Sequence, residues 1–187
     1  MTNESILSFF FEMGHLARVK REGWRLLGIE SPESIAEHSL RAAQIAWVVA
    51  KLEGLENPHA AVTIAVFHDI GECRVGDLHK LASRYGGLDE ARAVQEQCER
   101  LGPFGPELFA LWEQVETRST PEGIVAKDAD LLELAVRAKE YIERGFVGAQ
   151  EWINAVTPHI RTESGKTLLA TLPSTTSTDW WKGLKKV

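Results

Sequence analysis

HDIGECRVGD, residues 68–77, is the segment of this chain that decides the fold. It begins with an imidazole and a carboxylate side by side, His68 and Asp69, at the end of an apolar run typical of a buried helix. Burying two such groups is costly unless a partner satisfies them, and a cation would satisfy both. Glu72 is four residues after His68 and therefore lies on the same side of the helix. The segment predicts a helical protein with a divalent-metal site, in which Glu72 can contact a metal-bound water.

Further ligands for such a site are found upstream and downstream of this segment. His38 occurs in AEHS, and Asp128 and Asp130 occur in AKDADLLE. Helical periodicity does not separate the two aspartates cleanly, so either can complete the set at this point. Imidazole mixed with carboxylate suits Mn, Co, Zn, Fe or Ni better than Mg or Ca. Four protein ligands on a six-coordinate ion leave two positions for water and a substrate oxygen, which favours hydrolysis.

The composition is that of an ordinary globular protein, with 44% hydrophobic and 26% charged residues among 187. This length fits one domain. No apolar stretch of about 18 residues is available to span a bilayer, so we expect no membrane partner. The formal net charge of −6 argues against a nucleic acid polymer as partner. A bound cation with one or two arginines can still admit a small anionic substrate.

The N-terminus and the cysteines both favour the cytoplasm. Basic residues follow the first apolar run instead of preceding it, unlike a secretory signal. Cys73 and Cys98 fit neither a zinc ribbon nor a disulfide framework. We therefore expect a cytoplasmic protein.

Helix signals extend along nearly the whole chain, and the period-2 alternation of strands is almost absent. The strongest start signal is the capping-box spacing of Ser34 and Glu37, which places His38 in the first turns of a helix. Trp47, Trp112 and Trp152 fall at apolar helical positions and are predicted to be core. Predicted helices run from Glu4 to Lys20, from Ser34 to Gly54, from Asn57 to Asp69, from Leu88 to Leu101, from Glu107 to Thr117, from Thr120 to Arg144 and from Ala149 to Leu172 with a possible break at Pro158.

The last segment differs in composition from the rest. Residues 173–187, PSTTSTDWWKGLKKV, are polar and of low complexity except for the pair Trp180 and Trp181. We predict a domain of residues 1–172 followed by a tail of residues 173–187. Two exposed tryptophans are unusual on a monomer, so docking of the tail on the domain or on a partner subunit is favoured over a frayed end.

Taken together, these segments resemble the HD-domain phosphohydrolase superfamily, in which the order is H…HD…D. The chain looks most like the 5′-deoxynucleotidase group of that superfamily. The resemblance covers residues 13–165 and implies an all-α HD-domain bundle of about six to seven helices around one divalent metal. It is carried by REGW at 21–24, PESIAEHS at 32–39, HDIGECRVGDL at 68–78 and LWE at 111–113.

The resemblance also implies roles for individual residues. Lys127 sets the register of a Lys-x-x-Asp pattern that favours Asp130 over Asp128. Glu72 would lie near the attacking water, and Asp77 near the sugar or leaving group. The implied metal ligands are His38, His68, Asp69 and Asp130.

Two further residues are implied on the substrate side. Trp24 would form a wall of the sugar pocket, although core aromatic packing is the alternative for this residue. Arg21 would meet the phosphate, as arginine does bidentately. The bacterial enzyme has its arginine directly before the tryptophan, where this chain has Gly23.

The implied activity is that of a metal-dependent phosphomonoesterase acting on nucleoside 5′-monophosphates, above all deoxyribonucleotides, as a homodimer. One alternative is the same centre acting on another phosphoester: a nucleoside triphosphate, a cyclic nucleotide or a non-nucleotide phosphate. The other is a non-catalytic regulator that binds metal and nucleotide. The presence of Glu72 and Asp77 argues against the regulator.

Overall fold

The computed structural model describes residues 1–184, and these residues form helices joined by short turns. Within this part of the chain, β pairing is limited to one bridge between Lys20 and Ser34. The all-α class is confirmed, with ten α-helices where six to seven were expected. They are α1 (Asn3–Met13), α2 (Ile35–Leu52), α3 (Pro58–Phe67), α4 (Glu72–Val75), α5 (Lys80–Ser83), α6 (Glu90–Glu99), α7 (Gly105–Thr117), α8 (Pro121–Glu143), α9 (Gln150–Val156) and α10 (Glu163–Thr171).

Helix α8 lies at the centre of the bundle and packs against α2, α3, α7 and α9. The main core contains many alanines, such as Ala46 and Ala129, interleaved with branched residues such as Ile64 and Val125. Small side chains let helix axes approach closely. As a result α2, the C-terminal end of α3 and the middle of α8 are neighbours, which brings together His38, the pair His68 and Asp69 that follows α3, and Asp130.

The start of α2 follows from local chemistry and was predicted correctly. The hydroxyl of Ser34 accepts the backbone amide of Glu37 at 3.2 Å, and the Glu37 carboxylate accepts the backbone amide of Ser34 at 2.7 Å. This reciprocal pair satisfies two amides that the helix itself leaves free. It fixes where α2 begins and places His38 on the buried face of its first turns.

Several predicted helix ends were wrong. α1 ends at Met13 instead of Lys20, and a 3-10 turn, Gly14–Ala17, follows it. α3 ends at Phe67, before His68. The last predicted helix, Ala149 to Leu172, is divided into α9 and α10 at the possible break named at Pro158. Pro158 lacks the amide that a continuous helix needs and restrains the residue before it, which explains the division.

The tryptophans predicted as core differ in burial. Trp112 is buried, and Trp152 is partly buried against Trp24. The prediction for Trp47 was wrong, because this side chain is 46% exposed. Its neighbour Ala46 lies in the core face of α2, and adjacent helical residues project about 100° apart.

The tail returns to the end of α8 through polar contacts. The backbone amide and the hydroxyl of Ser177 both donate to the Glu143 carboxylate, at 2.9 and 2.5 Å. Trp180 and Trp181 remain 76% and 50% exposed, so the indoles are not the groups that hold the tail on this chain. Residues 185–187 of the predicted tail lie outside the described residues.

No helix among the described residues is both long and apolar enough to cross a membrane.

Candidate metal centre and active site

The structure brings the four predicted ligands into one cavity. His38 Nε2 lies 3.3 Å from His68 Nε2 and 3.1 Å from Asp130 Oδ1. Asp69 Oδ2 lies 3.2 Å from His68 Nε2 and 3.6 Å from His38 Nε2. The histidine side chains are buried, and the most accessible of the four, Asp69, is 15% exposed. Four potential ligand atoms, from α2, the two residues after α3, and α8, therefore face one another in a largely buried space.

Bonds on the outer side of each imidazole fix which nitrogen faces this space. His38 Nδ1 is 2.5 Å from Glu133 Oε2, and His68 Nδ1 is 2.7 Å from the Ala65 carbonyl oxygen. A carboxylate and a carbonyl only accept, so each Nδ1 carries the hydrogen and donates it. In the neutral ring each Nε2 presents a lone pair to the cavity. Two such lone pairs 3.3 Å apart repel each other unless a proton or a metal ion lies between them.

The charges in the cavity also favour a cation. Asp69 Oδ2 is buried without a hydrogen-bond partner. Burial lowers the pKa of His68, but the negative charges of Asp69 and Asp130 raise it by a larger amount, so the net shift is well upward. His38, His68 and Asp130 offer ligand atoms that lie within 4.8 Å of one another. The residues present fit one divalent metal ion.

The structure separates the two candidate aspartates of α8. Asp130 faces the histidines, and its other oxygen is 2.8 Å from Lys127 Nζ. Asp128 is fully buried and accepts the backbone amides of Arg161, at 3.0 Å, and Thr162, at 2.6 Å. Residues two apart on a helix project about 200° apart, which sends Asp128 to the segment before α10. Asp130 is the aspartate of the cavity.

Glu72 begins α4 beside Asp69. Burial, and then the negative charge of Asp69, raises the pKa of Glu72 to about 9. Its Oε2 is buried without a hydrogen-bond partner. A carboxyl group with this pKa keeps its proton at neutral pH. A cation bound beside Asp69 would lower the pKa of Glu72, and the resulting carboxylate could take a proton from a reacting water.

Arg21 connects the cluster to a neighbouring pocket. Its Nη1 is 3.5 Å from Asp69 Oδ2, and the same side chain lines this pocket, whose volume is about 440 Å³. Asp77 lines the same pocket, and its Oδ2 accepts the backbone amide of Glu22 at 2.5 Å. Asp77 thereby anchors the 3-10 turn Glu22–Leu27. The other lining residues are Gly23, Trp24, Leu26, Leu78, His79, Lys80, Leu134, Glu151, Trp152 and Ala155.

Trp24 belongs both to this pocket and to a buried aromatic cluster. It is 1% exposed, stacks on Trp152 with ring centroids 5.2 Å apart, and meets Tyr141 edge-on at 5.0 Å. Its indole nitrogen donates to Glu33 Oε1 at 3.4 Å. Trp24 thus lines the pocket and also packs in the aromatic core, the two alternatives predicted for it from the sequence.

One buried residue at the centre was missed from the sequence. Glu133 in α8 is fully buried and bonds His38 Nδ1, on the side of the ring away from the cavity. The signal was a charged residue inside the apolar run LLELAV, three positions after Asp130. Such a residue is one turn from a ligand on the same helix face.

Comparison with known proteins agrees with this description of a helical protein around a buried metal site. Residues 13–167 match the sequence profile of the HD domain. A 5′-deoxynucleotidase from Vibrio parahaemolyticus is 40% identical over 152 residues, which cover 74% of this chain and 77% of that protein. The 5′-deoxynucleotidase HDDC2 of Bos taurus is 35% identical over 142 residues, covering 73% and 68%.

A solved structure gives the same result at the level of the fold. A conserved hypothetical protein from Pyrococcus furiosus superposes with a TM-score of 0.73 at 31% identity, covering 90% of this chain and 97% of that one. The chain belongs to the HD-domain family. The resemblance noted in the sequence is confirmed, and the chain is close to the 5′-deoxynucleotidases within that family.

Proposed function

We propose that this protein is a cytoplasmic, metal-dependent phosphomonoesterase that releases phosphate from nucleoside 5′-monophosphates, above all from deoxyribonucleotides. The observation that carries the proposal is Arg21, which contacts Asp69 of the metal cluster and also lines the adjacent pocket. A phosphate bound at this arginine lies beside the metal, with the rest of the nucleotide in the pocket. Relatives named 5′-deoxynucleotidase support the choice of substrate.

In this proposal the cluster binds one divalent transition metal, Mn, Co, Zn, Fe or Ni, with Mg less suited to the mixed donors. When bound, the metal polarises a phosphoryl oxygen and lowers the pKa of a water. The residues that hold it are His38, His68, Asp69 and Asp130.

The remaining residues would act on the proton and on the substrate. Glu72 would take the proton of the attacking water from its position beside Asp69, once the charge of a bound cation has lowered its raised pKa. Arg21 binds the phosphate with its guanidinium. Asp77 and Trp24 face the sugar, because both line the pocket that Arg21 joins to the cluster.

The proposal extends to the organisation of the molecule. Residues 1–172 would form the catalytic domain and residues 173–187 an appended tail, with two copies forming a homodimer. The match to the HD domain, residues 13–167, falls inside the first part. Cys73 and Cys98 are buried free thiols, as a reducing cytoplasm allows.

The test is phosphate release from matched 5′-deoxyribo- and ribonucleoside monophosphates after chelation and re-addition of Mn²⁺, Co²⁺, Zn²⁺ or Mg²⁺ singly. We expect release from the deoxyribonucleotides to return with a transition metal and to be abolished by Asp69→Ala. Asp179→Ala, which removes a tail carboxylate outside the cavity, is the control and should keep full activity. No release with any metal would contradict the proposal, and release from other phosphoesters alone would replace the substrate.

A further inference from the structure

A network of acids and arginines continues outward from His38 on the side away from the cavity. We call it the acid–arginine network; it consists of Glu33, Arg41, Glu133, Arg137 and Glu140. Arg41 donates to Glu133 through Nε at 2.7 Å and to Glu140 through Nη1 at 2.8 Å. Arg137 donates to the other oxygen of Glu140 at 2.8 Å and to Glu33 at 2.7 Å. Glu33 accepts the Trp24 indole, so the network links a metal ligand to a wall of the pocket.

Glu133 is the member that touches the metal centre. Its side chain is fully buried, and its two oxygens have different partners: Oε2 bonds His38 Nδ1, and Oε1 bonds Arg41. Arg41 donates to Oε1 through two guanidinium nitrogens, which holds Glu133 as a carboxylate that accepts hydrogen bonds.

We propose that Glu133, held in place by Arg41, is a positioning residue that fixes the tautomer of His38 and thereby sets the affinity of the cavity for its metal ion. The inference rests on the metal centre proposed above. Because Glu133 accepts the hydrogen of Nδ1, the neutral His38 ring has its lone pair on Nε2, which faces the cavity. Carboxylates behind metal-binding histidines have this effect and also raise the basicity of the ring.

The charge of the network supports a role beyond structure. Three carboxylates face two guanidinium groups, which leaves one negative charge in excess on the outer side of His38. A buried ion pair adds little to stability compared with a well-packed apolar pair. The excess charge would instead favour a cation on the far side of the imidazole.

The substitution Glu133→Gln tests the proposal through the orientation of the new amide. The amide has one oxygen and one NH₂ group, and Arg41, which only donates, requires the oxygen. The NH₂ group must then face His38 Nδ1, which can accept only if the ring hydrogen moves to Nε2. That hydrogen would point into the cavity. We expect metal affinity to fall by about 10- to 100-fold.

Removing Arg41 as well should reverse part of this loss. In the double variant Glu133→Gln with Arg41→Met, the amide is free to turn its oxygen to His38. The Nδ1–H tautomer then returns, and the metal should bind more tightly than to Glu133→Gln alone. If the network were only structural, the second substitution would add damage and binding would be equal or weaker.

The experiment titrates the metal-stripped full chain with Co²⁺ by calorimetry. It assigns the His38 tautomer from imidazole ¹⁵N shifts without metal, at a pH at which the ring is neutral. Glu53→Gln is the matched control. Glu53 follows the last residue of α2, at the opposite end of this helix from His38, and accepts the backbone amide of Ser164 at 2.7 Å. We expect native affinity in this control, weak binding and an Nε2–H signal in Glu133→Gln, and recovery in the double variant.

Two results would overturn the inference: native Co²⁺ affinity in Glu133→Gln, or no recovery in the double variant. Arg41→Met alone is the reserve if Glu133→Gln does not fold, since Arg41 is already 25% exposed. Unchanged affinity there would contradict the part assigned to Arg41. Failure of the metal centre itself gives a different result, because the native chain would then bind no Co²⁺ or His38→Ala would bind it equally well.

Discussion

Each ligand side chain in the cavity is held by a neighbour whose chemistry determines what the ligand can do. The Ala65 carbonyl fixes His68, whereas the Glu133 carboxylate fixes His38. Both acceptors select the same tautomer, but only the carboxylate brings a full negative charge. The two histidines therefore present the same atom to a metal, and the support of His38 adds a negative charge that the support of His68 lacks.

Glu72→Gln should lower turnover of deoxynucleoside monophosphates by about 10²- to 10⁴-fold, because an amide cannot take a proton from the attacking water. Co²⁺ affinity should remain near that of the native chain. The measurements are kcat under saturating substrate and calorimetric titration of the stripped protein. Full turnover with metal bound would show that Glu72 does not have the proposed role.

The pair Asp128→Asn and Asp130→Asn should separate stability from metal binding. Asp128 accepts backbone amides of Arg161 and Thr162, and an amide with a single acceptor oxygen leaves part of this bonding unmade. Asp128→Asn should lower the free energy of unfolding by about 1–3 kcal/mol and retain Co²⁺ binding.

Asp130→Asn should do the reverse, with Co²⁺ binding largely lost. Urea unfolding of the stripped proteins and Co²⁺ titration measure the two effects. If Asp128→Asn lost Co²⁺ binding and Asp130→Asn kept it, Asp128 and not Asp130 would be the metal ligand.

Helix starts were predictable from the sequence because caps act locally. Ser34 with Glu37, Asn57 before Pro58, and Thr120 before Pro121 each begin a helix where expected. The short helices α4 and α5 were not predicted. Helices of four residues are not stable alone, and packing against the rest of the bundle supports them.

The same contrast holds for the site. The residues of the H…HD…D order were predictable, since their types and order are visible in the chain. Glu133 was visible as a charge in an apolar run, but its bond to Arg41 was not predictable, because only the packing of α2 on α8 brings the two residues together. Raised and lowered pKa values depend on burial and could not be predicted for the same reason.

At the scale of two packed helices, Gly105→Ala should destabilise the fold. A Cβ at the start of α7 would lie 2.2 Å from the carbonyl oxygen of Cys98 in α6. Because that oxygen belongs to the backbone, one of the two helices would have to shift to relieve the clash. We expect a loss of about 1–3 kcal/mol, as overpacking costs. Gly14→Ala is the control, because nothing lies within 4 Å and φ is −59°. Thermal unfolding compares them, and equal melting temperatures would mean that the α6–α7 junction relaxes freely.

On the scale of the whole molecule, α8 joins the functional parts. Asp130, Glu133, Arg137 and Glu140 follow one another along this helix from the cavity outward, and Glu143 then bonds the tail. One rigid element thus carries a metal ligand, its support and the anchor of the tail. A change at the tail can be tested for effects on the centre without altering a residue of the centre.

Trp180 and Trp181 should contribute to the proposed homodimer, and replacing both with alanine should weaken it. The indoles are 76% and 50% exposed on this chain, and exposed aromatic side chains of this size gain most when a partner covers them. Sedimentation over a range of concentrations measures the dimer, with Co²⁺ affinity and melting temperature as checks that the domain is intact. Trp47→Ala, 46% exposed on α2, is the matched control. A native chain that stays monomeric, or a dimer weakened by Trp47→Ala and not by the tail variant, would contradict the role of the tail, and the second result would place the interface on α2.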